Sequence, residues 1–220
     1  VTDGLRATAV DRRALAREAP VKESRWPRTA RRQERIRAVL ERRQPDLTVV
    51  LENVHDPHNV SAVLRSCDAV GVLRVHTVYT EEERPEAFAR TTSASAAKWI
   101  EVVHHDSVEA CFAALREAGM TVLATALAED SRDLHETDLA APVALVFGNE
   151  MRGVGEDVLK QADGTLIIPM MGMVQSLNIS VACAVTLYEA LRQRRAAGAY
   201  DAPRLPAATL DALEAEWLQR

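Results

Sequence analysis

The chain has 220 residues, 47% of them hydrophobic, enough for one substantial core and an appendage, and no apolar run reaches the roughly 18 residues of a membrane span. Its formal charge of -5 is unevenly placed, because residues 1–44 hold 13 Lys+Arg against 6 Asp+Glu and the remainder 14 against 26; a basic arm on an acidic body points to a polyanionic partner. Three scattered cysteines without a CxxC pair, Cys67, Cys111 and Cys183, exclude a disulfide framework and a cysteine-built zinc site and fit a reducing cytoplasm, while the arginine-rich start lacks the apolar stretch of a secretory signal.

Residues 1 to about 28 have no clear period, contain Pro20 and Pro27, and read as a mobile arm. Ala30 to Arg43 reads as an arginine-studded helix with Ile36, Val39 and Leu40 as its apolar contacts, stopped before Pro45. Short apolar runs then follow at Thr48–Leu51, Val72–Val78, Thr121–Ala124, Val143–Phe147 and Leu166–Ile168, alternating with helical patterns. This alternation predicts an α/β domain on a mainly parallel sheet flanked by helices. The first intervening helix carries Val60, Val63, Leu64, Cys67 and Val70 at helical spacing and stops at Gly71. Further helices are expected over Ser107–Ala118, Gly155–Ala162 and Ser176–Arg195. The last of these is apolar over much of its circumference, so burial on more than one side and a dimer contact are expected. After a proline-containing loop, Ala207–Leu218 forms a closing helix with Leu210, Leu213 and Trp217 on one face. The expected organisation is a basic arm and helix over 1–44, a principal domain over 45–196 and a helical extension over 197–220.

Three stretches carry more polar and glycine residues than packing requires. Asn53-Val54-His55-Asp56-Pro57-His58-Asn59 leads from a strand into the helix that bears Arg65, at the edge where open α/β sheets bind ligands. Taken alone, Asp56 or Asn59 would serve as a helix cap and Arg65 would pair with Asp68. Gly148-Asn149-Glu150-Met151-Arg152-Gly153-Val154-Gly155 follows a buried strand. It is neither a GxGxxG fingerprint nor a Walker loop, which argues against dinucleotide and nucleoside-triphosphate binding. Ile168-Pro169-Met170-Met171-Gly172-Met173-Val174-Gln175-Ser176-Leu177-Asn178 is a pliable apolar loop of a kind that suits an adenine ring, although methionines are more often core filler.

In this order and spacing the three stretches resemble the three motifs of the SpoU/TrmH branch of the SPOUT methyltransferases, over about Gln33 to Leu218. The resemblance implies an S-adenosylmethionine-dependent RNA ribose 2'-O-methyltransferase with a carboxyl-terminal trefoil knot, working as a homodimer. It places Thr125, Gly148, Ile168 and Leu177 at the S-adenosylmethionine pocket. It places Asn59, Arg65, Glu150, Ser176 and Asn178 around the reacting ribose. His58 is expected to touch RNA, and Arg31, Arg32, Arg35, Arg37, Arg42 and Arg43 of the basic helix are expected to dock the phosphate backbone.

The flanks resemble those of family members that methylate guanosine 18 in the D-loop of tRNA. Ribosomal RNA methylation and a catalytically idle RNA-binding relative are the alternatives. No metal is required by this scheme: His55-x-x-His58 and His104-His105 each lack a third ligand in the sequence.

Overall fold

The computed structural model describes residues 29–81, 96–128 and 130–220; the arm expected over residues 1–28 lies outside them. Helix α1 (Ala30–Leu40) is capped by Thr29, whose hydroxyl accepts from the Arg32 amide at 3.2 Å. Then follow β1 (Leu47–Glu52), α2 (Pro57–Val70), β2 (Arg74–Val78), β3 (Glu101–His105), α3 (Val108–Glu117), β4 (Thr121–Thr125), β5 (Arg132–Asp133), β6 (Val143–Phe147), α4 (Glu156–Gln161), β7 (Gly164–Ile167), α5 (Ile179–Ala196) and α6 (Ala207–Trp217). The strands form one sheet in the order β3-β2-β1-β6-β4-β7-β5, and every pairing is parallel. The expected α/β class is therefore observed, with a fully parallel sheet.

Its strands read as near-continuous apolar runs because both faces are covered. One face carries Val49, Leu51, Val75 and Leu145 against α2 and α5; the other carries Val50, Val122, Ala144 and Val146 against Phe112 and Leu115 of α3 and Val158 of α4. A third cluster joins Ile36 and Leu40 of α1 to Leu210, Trp217 and Leu218, so the two expected terminal segments pack on each other.

Helix α2 begins where expected: the Asp56 carboxylate accepts from the His58 amide at 2.8 Å, and Pro57 occupies the first turn, where its missing N–H costs nothing. It ends at Gly71, whose φ of 89° is left-handed and whose added Cβ would lie 2.6 Å from the Arg42 carbonyl oxygen. α1 ends three residues before the Arg43 expected to close it. The turn from Leu40 to Gln44 swings Arg43 inward.

That turn corrects one expectation. Arg43 is fully buried; it donates to the Val72 carbonyl at 2.7 Å, the Asp68 carboxylate at 2.5 Å and the Trp99 carbonyl at 3.3 Å, and lies over the Trp217 ring. It cannot reach an RNA phosphate. Arg37 is likewise engaged, bridging Glu41, Asp211 and Glu214, and these carboxylates raise its pKa further. Arg31, Arg35 and Arg42 are exposed and Arg32 half-buried.

Two strands had no clear sequence signature. β3 is an edge strand that is only partly buried, and β5 has two residues. At the β3 edge, His76 and His105 are hydrogen-bonded through Nδ1 and Nε2 at 2.8 Å. Burial lowers the His76 pKa to about 4, assisted by His105 and Arg74. The unfolded chain then binds a proton that the fold rejects, so stability should be full above pH ~6.5 and decline towards pH 4. Urea midpoints measured across that window should fall with acidification in the parent and less in His76→Gln; parallel curves for the two proteins would refute this origin.

Candidate active site

The sheet order places a topological switch between β1 and β6, where chain connections depart in opposite directions; the crevice outside the carboxyl ends is the expected ligand site of such sheets. The loops following β1 and β6 meet there. Asn53 takes a φ of 51°, a left-handed conformation that asparagine tolerates better than most residues. Its side-chain oxygen accepts from the Thr80 and Glu81 amides at 2.9 and 3.2 Å, and its carbonyl accepts from Asn149 Nδ2 at 3.0 Å. The two loops are thus tied across the switch.

The loop after β6 turns back on itself, with the Gly153 amide donating to the Asn149 carbonyl at 2.8 Å. A Cβ on Gly148 would fall 2.1 Å from the Gly153 carbonyl oxygen, so only glycine fits. Beneath the end of the loop, the buried Glu52 carboxylate accepts from the Gly155 amide at 2.8 Å. Burial pushes the Glu52 pKa up, and the Gly155 hydrogen bond opposes that shift. Glu52 and the anchoring role of Asn53 escaped sequence reasoning. The only local signal was a pair of polar residues ending a buried strand.

Three of the expected residues converge. Asn59 Nδ2 donates to Glu150 Oε1 at 2.8 Å, and Asn178 Nδ2 donates to Asn59 Oδ1 at 3.1 Å. Asn178 also caps α5, its side-chain oxygen accepting from the Ser180 amide at 2.9 Å. One residue from each polar stretch therefore joins a single chain of hydrogen bonds, although Asn59 and Asn178 lie 119 positions apart. Asn59 is buried, whereas Glu150 and Asn178 are exposed, so the chain runs from the fold to the surface.

The remaining expected residues fall into two groups. Thr125, Gly148 and Ile168 stand at the carboxyl ends of β4, β6 and β7, which are neighbours in the sheet. Leu177 lies half-buried just before α5. Thr125 Oγ1 donates to the Val146 carbonyl at 3.0 Å, which fixes its rotamer. Arg65, His58 and Ser176 are exposed and stand outside the Asn59–Glu150–Asn178 chain. The pairing of Arg65 with Asp68 that local spacing allows is replaced by the Arg43–Asp68 ion pair at 2.5 Å.

Tertiary structure gives His105 the neighbours that sequence spacing did not: His76, His105 and Cys111 have ligand-type atoms within 4.8 Å of one another. The two rings are inclined by only 20° with centroids 5.1 Å apart. At that geometry their bonded nitrogens face each other nearly in plane, so their lone pairs do not converge on a third point. Burial holds the Cys111 thiol at a pKa of about 12. The cluster is a satisfied histidine pair packed against a protonated thiol.

A parallel sheet with a polar crossing of loops at its switch point defines a ligand-binding α/β protein. A family model described as the SpoU rRNA Methylase family matches residues 46–188, and the chain belongs to this family. It is 52% identical over 193 residues to a tRNA (guanosine(18)-2'-O)-methyltransferase of Thermus thermophilus, covering 88% of this chain and 98% of the relative. Among solved structures, the A. aeolicus TrmH/SpoU tRNA modifying enzyme superposes with a TM-score of 0.78 at 37% identity, covering 86% of this chain and 95% of that one. An AdoMet-bound rRNA methyltransferase from Sinorhizobium meliloti superposes with a TM-score of 0.59 at 28% identity, covering 71% and 59%.

Proposed function

We propose that this chain transfers the methyl group of S-adenosylmethionine to the ribose 2'-hydroxyl of guanosine 18 in tRNA. The observation that carries the reading is the Asn59–Glu150–Asn178 hydrogen-bond chain at the switch point, in a sequence half identical to a guanosine-18 enzyme along nearly all of that relative. The tRNA choice over ribosomal RNA rests on that similarity and on the short basic helix.

The residues fit the cofactor. Three adjacent strand ends, Thr125, Gly148 and Ile168, offer main-chain polar groups beside half-buried apolar side chains, and Leu177 adds an apolar surface; this combination suits a purine nucleoside. When bound, S-adenosylmethionine supplies an electrophilic methyl group on a sulfonium. With it bound, the 2'-oxygen would bond to that carbon as the carbon–sulfur bond breaks and S-adenosylhomocysteine departs, and the hydroxyl proton would pass to solvent water. This chain must align the hydroxyl and favour its loss of a proton. Asn59, held from both sides by Glu150 and Asn178, has a fixed rotamer and so helps fix the ribose. Exposed Arg65 clamps the neighbouring phosphate and polarises the hydroxyl. A guanidinium does not act as the base, because it resists deprotonation and a phosphate favours its charged form. Ser176 and His58, both exposed, contact RNA.

Val181, Val185 and Tyr188 follow one face of α5 and are 47%, 37% and 54% exposed; Met171, Met173 and Val174 just before it are 95%, 100% and 62% exposed. Within one chain this face of α5 is therefore uncovered, while the opposite side packs against α2, the sheet and the segment around Leu134 and Leu139. A second copy of the chain on this face forms the homodimer. No described helix is long and apolar enough to cross a membrane; we place the enzyme in the cytoplasm with its tRNA.

Mass-spectrometric mapping of 2'-O-methylated nucleotides after incubation with total RNA and S-adenosylmethionine tests the reading. Methylation at guanosine 18 is expected; methylation confined to ribosomal RNA, or none, overturns it. The basic helix supplies a second measurement. Replacing Arg31, Arg32 and Arg35 with Ala should weaken tRNA binding and flatten its salt dependence by about two units, at roughly 0.7 to 0.9 per phosphate contact. An unchanged salt titration would make these arginines a merely solvated face.

A further inference from the structure

We propose that the cleft at the carboxyl end of α2, bracketed by Arg42 and Arg195, holds the RNA phosphodiester backbone beside the target nucleotide; the assignment rests on the RNA-methylating reading above. Helix α2 presents an exposed stripe of His58, Arg65 and Ala69. Ala69 and Gly71 then form part of a cleft whose other walls are Arg42, Arg195 and Tyr200. Ala69 lies four residues past Arg65, about 6 Å along the helix axis at a rise of ~1.5 Å per residue. A strand whose phosphate is clamped by Arg65 therefore reaches the cleft within a nucleotide or two.

The charges in the cleft favour a polyanion. Arg42 and Arg195 are exposed in the single chain and form no ion pair with a described residue, and Arg195 stands about 10 Å along α5 past Tyr188, beyond the apolar stretch assigned to the second copy. By contrast, Arg43 is taken by Asp68, and Arg194 and Arg204 by Asp46. Two carboxylates face the same space. Asp68 is already paired with buried Arg43, which leaves Asp201 against two free guanidiniums. Guanidinium forks match phosphate oxygens.

The cleft is also preformed. The Tyr200 hydroxyl donates to the Val70 carbonyl at 2.7 Å, so the tyrosine is fixed and offers its ring rather than its hydroxyl. Gly71 lets the Arg42 backbone come so close that no side chain would fit between them. A rigid aromatic beside two arginines is the combination that single-stranded nucleic acid uses for stacking and backbone contact.

The experiment measures tRNA affinity and S-adenosylmethionine affinity for the full chain carrying Arg42→Ala with Arg195→Ala, across a salt titration. The double variant should bind tRNA at least about tenfold more weakly at low salt, with the slope of log affinity against log salt reduced by about 1.4 to 1.8, the value for two lost phosphate contacts. The affinity for S-adenosylmethionine should be unchanged. Arg42→Lys with Arg195→Lys should restore most of the slope, because it keeps the charge and loses only the fork. A double alanine variant with the parent's tRNA affinity and slope overturns the proposal, as does one whose S-adenosylmethionine affinity falls equally. If the parent binds tRNA but transfers no methyl group, the functional reading has failed while the salt titration still decides the cleft.

Discussion

Arg65→Ala should lower single-turnover methylation by at least about a hundredfold, the scale seen when one preorganised charged or polar donor to a transition state is removed. S-adenosylmethionine affinity and the urea midpoint should stay at parental values. The separation follows from position: Arg65 is exposed on α2, apart from the strand ends that carry Thr125, Gly148 and Ile168, and forms no ion pair with a described residue. Removing it leaves no buried group without a partner. Arg65→Lys should recover only part of the rate, because an ammonium keeps the charge but cannot hold two phosphate oxygens in one plane. Turnover within a few-fold of the parent in Arg65→Ala would remove this residue from the reaction.

Arg194→Met should destabilise the fold by about 3 to 5 kcal/mol, the cost of breaking a buried ion pair from one side. Arg194 is fully buried near the end of α5. It donates to the Leu139 carbonyl at 2.9 Å, the Ala141 carbonyl at 2.7 Å, the Asp46 carbonyl at 3.1 Å, the Asp46 carboxylate at 2.7 Å and Gln44 at 3.3 Å. One guanidinium thus ties α5 to the segment entering β1 and to the segment entering β6. Methionine matches much of its length but satisfies none of these acceptors, and Arg204 can compensate only at the second oxygen of Asp46. Urea unfolding at fixed protein concentration measures the loss; concentration must be held constant because association would contribute to stability. A change below about 1 kcal/mol would show that the acceptors find water or other partners.

Arg42 and Arg43 show where sequence reading stops. As neighbours in a basic run, both looked like phosphate ligands, and no local pattern separates them. α1 ends at Leu40, and the following turn leaves Arg42 exposed while burying Arg43 against Trp217 and Asp68. That outcome depends on a tryptophan 174 positions away in the chain. The unsigned β3 and β5 have a similar cause. An edge strand and a two-residue strand bury too little of themselves to leave a period, and are fixed by pairing with β2 and β7.

Other features are local in origin and were legible. The period of Val60, Val63, Leu64, Cys67 and Val70, with Asp56-Pro57 before it and Gly71 after it, determines α2 and both its ends, since caps and helical faces involve residues only a few positions apart. Apolar runs separated by helices determine a parallel sheet, because parallel strands need crossovers. The order of the three polar stretches determines the family. What only the tertiary structure decided is which of their residues meet: Asn59 with Glu150 and Asn178, Glu52 beneath Gly155, Asn53 with Asn149. The contacts between the segments at β1 and β6 close across neighbouring strands, Asn178 reaches Asn59 from the segment after β7, two strands beyond β6, and sequence separation carries no information about those distances until the sheet order is set.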